Sequence, residues 1–343
     1  MIYKSKANDG IMKESRTPGF TRNDSLEDLL SFLNSLLGPA ETSALDLLPD
    51  HAQEHPVIFV AGPHRSGTTL FMQWLASLGF IAYPTNLLSR FYEVPVVGAN
   101  IQLLLTDPRY NFRNEIMDFN SPVTFDSENG KTRGALAPNE FWYFWRRFMP
   151  ADELASLNSE ELDRRADKQM LSKELRALTK VFDKPFALKS MILNYHIPFL
   201  ASIFPDAIFV EIKRDPITNI ASILEARKRQ LGSEKEWYSF KIPEYDRLKD
   251  LDPLTQSTRQ LQSIIRAVEL GMSSVRKDNR IIVQYEDFCD NPGQIFAELI
   301  TKLNMGSDEH QYQGVKKFER TRKTNIDRSA EIKKVLSTPF DFA

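Results

Sequence analysis

Two separated segments carry residue types that suit the holding of phosphate. The run Gly62-Pro63-His64-Arg65-Ser66-Gly67-Thr68-Thr69 combines glycine, hydroxyl side chains and one arginine. Where such a run joins a strand to a helix, its backbone N–H groups and the positive end of the helix dipole form a cradle for phosphate or sulfate. Gly67 lets the backbone approach an anion closely, and Ser66, Thr68 and Thr69 add hydroxyl donors. A Walker A loop needs lysine after its second glycine, where this chain has Thr68, so a nucleotide kinase becomes the lesser alternative. The loop's positive charge comes from Arg65 instead. In the second segment Arg214 follows the run Ile208 to Lys213, and Ser222 stands eight residues beyond it. An arginine at a strand's carboxyl end and a serine two turns into the next helix can both face the crevice where open parallel sheets bind ligands. Both could grip one terminal phosphate.

The elements needed to position these groups are legible. Val57 to Ala61 (VIFVA) is apolar on both faces, as a central parallel strand requires, and Leu70 to Leu78 reads as the helix after the loop. Further strands are expected at Phe186 to Ser190, Ile208 to Lys213 and Arg280 to Tyr285. Helices between them are expected over IPFLASIF, from Pro216, from Leu254 to Val275, and from Asn291-Pro292 to about Leu303. The predicted class is α/β, a P-loop-like parallel β-sheet flanked by helices. Residues 1–24 are expected to be a flexible tail and 25–343 a single domain. A capping box at Ser25 and Asp28 should start a leucine-rich helix that Gly38-Pro39 stops. The stretch from about 85 to 184, with turn signals at Glu128-Asn129-Gly130 and a charged helical run from Asp152 to Lys180, reads as a largely helical insertion that shapes an acceptor pocket.

The loop Arg65-Ser66-Gly67-Thr68-Thr69 resembles the 5'-phosphosulfate loop of sulfotransferases that use PAPS (3'-phosphoadenosine 5'-phosphosulfate), and Arg214 with Ser222 resembles their 3'-phosphate motif. Leu188-Lys189-Ser190, Tyr285-Glu286-Asp287 and Asn291-Pro292 extend the likeness, which runs from Val57 to about Leu303. The resemblance implies transfer of a sulfuryl group from PAPS to a hydroxyl acceptor, releasing PAP, with no metal. It implies that Arg65 contacts the donor's phosphate and bridging oxygen, that Lys189 approaches the sulfuryl group, and that His64, Ser66, Gly67, Thr68, Thr69, Arg214 and Ser222 complete the donor site. A non-catalytic PAP-binding protein is the other alternative, because the base is missing where the family keeps it. Pro84-Thr85-Asn86 stands where many relatives place a glutamate, and Met191 where cytosolic relatives have histidine. Glu93 and Glu140 are the nearest substitutes by neighbourhood, with His64 and His196 also available.

Beside Glu140, the run Phe141-Trp142-Tyr143-Phe144-Trp145-Arg146-Arg147 places two indoles one helical turn apart, facing either a sugar or aryl acceptor or the core. Arg320-Thr321-Arg322-Lys323 is either a donor-closing cluster or a solvated basic turn. The chain has 343 residues, 42% of them hydrophobic, enough to bury a sizeable core. Its 44 basic residues face 46 acidic ones, so no global field favours nucleic acid, and the acceptor should be a small molecule or a glycan. The longest apolar stretch, Val94 to Leu105, is too short to span a bilayer. A single cysteine, Cys289, excludes an internal disulfide and suits a cytoplasmic location. No Cys/His or Asp spacing suggests zinc or calcium.

Overall fold

In the computed structural model, which describes residues 17, 23–47, 55–111, 116, 119, 124–125, 127–128, 131–149, 154–306, 310–320 and 328–342, the apolar runs form the centre of a parallel sheet. In chain order, α1 (Asp24–Leu47) precedes β1 (Val57–Ala61), and a tight loop opens α2 (Thr68–Ser77). The insertion supplies α3 (Pro95–Thr106), a small hairpin of β2 (Ser127–Glu128) and β3 (Lys131–Thr132), α4 (Trp142–Phe148), α5 (Ser159–Arg165) and α6 (Lys168–Phe182). Regular alternation resumes with β4 (Phe186–Lys189), α7 (Ile197–Ile203), β5 (Ile208–Lys213) and α8 (Pro216–Leu231). Short α9 (Tyr245–Leu248) leads to long α10 (Pro253–Ser274), β6 (Arg280–Gln284), α11 (Tyr285–Asp290), α12 (Pro292–Lys302) and α13 (Ser329–Ser337).

The four long strands pair in the order β4-β1-β5-β6, all parallel. Every residue of β1 is buried, because both sheet faces are covered. Its side chains alternate between two cores. Phe59 joins Phe209, Phe204 and Trp145 on one face, with ring centroids 5.3, 5.4 and 6.4 Å away. Ile58 and Val60 pack with Phe71, Trp74 and Phe288 on the other. Register sets Val60 opposite both Lys189 and Val210. The carboxyl ends of β1, β4 and β5 therefore lie side by side, and the segments that follow them share one crevice.

Three local expectations are corrected. The first helix does not stop at Gly38-Pro39 but continues to Leu47. Proline removes one helical donor, yet the second half stays helical because it is anchored elsewhere. The Glu41 carboxylate accepts from the N–H groups of Val96 and Val97 at 2.9 and 2.8 Å, and Leu45 is buried. The same helix is capped by Asn23, whose Oδ1 accepts from Leu26 N–H at 3.2 Å, and not by Ser25. The charged stretch is two helices, α5 and α6, since Asn158 and Asp167 each cap a new start. Most of the expected tail, together with Asn129, Gly130 and Thr321 to Lys323, lies outside the described residues. Among the described residues, no helix is long and apolar enough to cross a membrane.

Candidate functional site

The glycine-containing loop connects β1 to α2, so Thr68, Thr69 and Leu70 begin a helix and their N–H groups have no acceptor within it. Two backbone positions shape the turn. Gly67 sits at φ 103°, and a Cβ there would lie 2.2 Å from Cδ2 of Tyr285, so only glycine fits. Arg65 adopts φ 64° in spite of its side chain, a conformation that persists only when the surroundings enforce it. Part of that enforcement is Asn194, fully buried, which accepts from Gly62 N–H at 3.1 Å and donates to Gly62 C=O at 2.8 Å. Ser66 is also fully buried and its hydroxyl has no partner among the described residues, while Thr68 donates to the Met191 sulfur at 3.6 Å.

The second segment meets this loop directly. Arg65 Nε donates to Ser222 Oγ at 3.2 Å, and Arg214 Nη1 donates to the Arg65 carbonyl at 2.8 Å. The Arg214 guanidinium lies over the Tyr285 ring, 4.7 Å from its centroid. Asp215 fixes the start of α8 by accepting from Thr218 N–H at 2.8 Å. Among the described residues, neither Arg65 nor Arg214 makes an ion pair with a carboxylate. Burial and the neighbouring Arg65 both pull the Arg214 pKa down, although Tyr285 opposes them. Two adjacent guanidinium groups that pair with no carboxylate among the described residues, beside free helix N–H groups, form a set of donors suited to an anionic ligand.

Lys189, at the end of β4 and 5% exposed, joins the loop to a carboxylate. Its Nζ donates to Thr69 Oγ1 at 2.7 Å and to Glu140 Oε1 at 2.9 Å. The other Glu140 oxygen accepts from Trp142 Nε1 at 2.5 Å, and Trp145 Nε1 donates to the Lys189 carbonyl at 3.0 Å. Burial works against ionisation of Glu140, but Lys189 and the Trp142 N–H outweigh it, and the carboxyl sits below the usual carboxylate range. Glu140, Trp142, Trp145 and Lys189 line a small cleft with Met191 and Ile192. The two indoles thus both face this cleft and hydrogen-bond within it, although Trp145 is also packed in the core.

Glu93 is placed differently. Its side chain is exposed, and its backbone N–H donates to Asn34 Oδ1 at 2.9 Å. Thr85 and Asn86 hold structure, with Thr85 Oγ1 donating to Gln102 at 2.5 Å and Asn86 Nδ2 donating to the Gly134 carbonyl at 2.9 Å. His64 is buried with its ring edge-on to Tyr238 and Phe240, 5.5 and 6.2 Å between centroids. Burial holds it neutral, its pKa lowered to about 3, with Arg227 and Arg65 adding to the effect. Arg320 pairs with Asp290. Sequence reasoning missed Asn194 and the wedge made by Tyr285, since both act across the fold. Among the described residues, no cluster of His, Cys, Asp or Glu could hold a metal ion.

The sulfotransferase family profile matches residues 56–309. Comparison with curated proteins gives no match. Among solved structures, sulfotransferase STF1 from Mycobacterium tuberculosis H37Rv is similar at 13% identity and a TM-score of 0.53, over 95% of this chain and 88% of that one. Sulfotransferase STF9 from Mycobacterium avium is similar at 16% identity and a TM-score of 0.51, over 86% of this chain and 75% of that one. At such identities the likeness concerns the fold.

Proposed function

The chain belongs to the sulfotransferase family, and on that premise we propose that this enzyme takes its sulfuryl group from PAPS and passes it to a hydroxyl of a carbohydrate, glycolipid or small metabolite. The products are a sulfate ester and PAP. Arg65, Ser66, Gly67, Thr68 and Thr69 hold the 5'-phosphosulfate, His64 supports the loop from beneath, and Arg214 with Ser222 grips the 3'-phosphate. The donor set supports the assignment, because two arginines that pair with no carboxylate among the described residues converge from the two segments at hydrogen-bonding distance. The insertion that carries Glu140 and Trp142 forms the acceptor side.

Sulfuryl transfer needs an in-line approach and stabilisation of charge on the oxygen that leaves. The acceptor oxygen forms its bond to sulfur as the bridging S–O bond breaks, and the electron pair goes to the 5'-phosphate of PAP. Lys189 and Arg65 stabilise that charge. Glu140 takes the acceptor proton, since it is an ionised carboxylate already within reach of the same lysine. The observation that carries this reading is Lys189 Nζ, which lies 2.7 Å from Thr69 of the loop and 2.9 Å from Glu140.

The test combines binding and turnover. Calorimetric titration should show PAP binding without magnesium and tighter than ATP. Arg65→Ala should lose transfer. Glu140→Gln should lower kcat by roughly 10²–10⁴-fold while PAP binding persists, and Glu93→Gln should leave kcat as it is. Full turnover by Glu140→Gln sinks the base assignment, and full turnover by Arg65→Ala sinks the donor site.

A further inference from the structure

Behind the phosphate loop, away from Lys189, lies a group of buried polar side chains that the reaction above does not use. Arg227 on α8 is fully buried, and its Nη1 donates to Gln256 Oε1 at 2.6 Å, but its Nε and Nη2 have no partner. Among the described residues no carboxylate hydrogen-bonds to it. Glu234 gives it a backbone carbonyl at 3.4 Å and a favourable field, but its carboxylate pairs with Arg328, and burial still pulls the Arg227 pKa down to about 10. Both ring nitrogens of His64 are also unpartnered, as are the hydroxyl of fully buried Ser257 on α10 and the amide of Asn219 on α8. His64 and Arg227 are close enough for the guanidinium to depress the imidazole's protonation. An unpaired interior cation is costly, and so is each unmet buried donor. The cluster is rich in donors and carries one formal positive charge that, among the described residues, no carboxylate meets by a hydrogen bond.

The aromatic cover indicates how an occupant enters. Gln260 Nε2 donates to the backbone carbonyls of Tyr238 and Phe240 at 2.9 and 3.2 Å, which sets their rings against His64, and Trp237 lies against Arg227 with 5.5 Å from guanidinium to ring centroid. These aromatic residues of the segment between α8 and α9 lie against His64 and Arg227, so an occupant enters by displacing them. On the opposite side, Arg65 is felt electrostatically by both His64 and Glu140. The cluster and the carboxylate that faces the acceptor thus flank one arginine.

We infer that His64, Arg227 and Ser257 form a second anion site, distinct from the donor cradle, for one small monoanionic group of carboxylate size. That group is either a free anion or the carboxylate of an acceptor whose hydroxyl lies at Glu140. The acceptor form rests on the sulfuryl-transfer reading, and the free-anion form does not.

Thermal unfolding of the full chain tests it, at constant ionic strength, with formate or bromide replacing gluconate and with PAP saturating the donor cradle. Wild type should show a saturable rise in Tm that Arg227→Met abolishes, and crystals grown in bromide should show an anomalous peak beside Arg227. Should Arg227→Met fail to fold, Ser257→Ala and the bromide peak carry the test. If wild type shows no saturable rise and no peak, the site is overturned, as it is if Arg227→Met responds like wild type. Should PAP itself fail to bind, the donor reading fails, and the same titration in Arg65→Ala still decides the anion site. For the acceptor form, a hydroxylated carboxylate should have a KM roughly ten- to a hundredfold below that of its carboxamide, a preference lost in Arg227→Met with kcat retained. Equal KM values together with a saturable formate response assign the site to a free anion.

Discussion

Glu140 is held by two donors of different kinds, and the difference has a consequence for pH. Lys189 supplies charge, whereas Trp142 supplies one N–H at 2.5 Å, and both favour the ionised carboxyl. Removing the indole N–H raises the pKa of Glu140, so protonation sets in at higher pH. The acid limb of kcat/KM in Trp142→Phe should therefore move to higher pH than in wild type, with the basic limb unchanged. A pH–rate profile identical to wild type would remove Trp142 from this role. The loop and strand-end residues proposed for phosphate were legible because their pattern is local, with Arg65 to Thr69 contiguous and Arg214 and Ser222 on one strand-to-helix connection. Glu140 was one of two carboxylates offered for the base, and the sequence could not choose it over Glu93 because Glu140 meets Lys189 across 49 residues of chain. Its only local signal was a place at the head of an aromatic run, a signal shared with ordinary core sequence.

Strands were read almost to the residue, since parallel strands buried on both faces leave continuous apolar runs. Helix ends were less legible where a distant contact overrules a local signal. The continuation of α1 through Pro39 is such a case, because the residue that sustains it, Glu41, bonds to the start of α3. Glu41→Ala leaves two N–H groups at that start without their acceptor. It should cost about 1–3 kcal/mol, measured as a lower denaturant midpoint with unchanged slope, and a variant within error of wild type would refute the anchor. At the loop-to-helix junction, Gly67→Ala forces its Cβ into the Tyr285 ring at 2.2 Å. PAP affinity should fall in that variant and recover in part when Tyr285→Ala is added, by calorimetry.

With 44 basic and 46 acidic residues, the molecule as a whole offers an anion no general attraction, so the sheet order must do the gathering. Placing β1 between β4 and β5 brings Arg65, Lys189 and Arg214 to one edge, an outcome that composition does not reveal. Global stability should register the buried imidazole beneath that edge. His64 protonates only near pH 3 when folded but near 6.5 when unfolded, so the unfolded chain binds the extra proton between those values. Stability from this group is intact above pH 6.5 and declines as pH falls towards 3, by about 1.4 kcal/mol per pH unit. In gluconate buffer, denaturant midpoints of wild type should fall more steeply across that window than those of His64→Phe, and parallel curves would show that His64 titrates normally.

The bond between Lys189 and Glu140 also sets a timetable. On the proposed reading, before a nucleotide arrives the lysine's charge is spent on the carboxylate, and the acceptor meets a neutralised pair. Once a sulfuryl group competes for the ammonium, the carboxylate is released to receive a proton. Turnover should thus follow a compulsory sequence with nucleotide first, so that a dead-end acceptor analogue inhibits uncompetitively against the donor, and non-competitive inhibition there would break the connection.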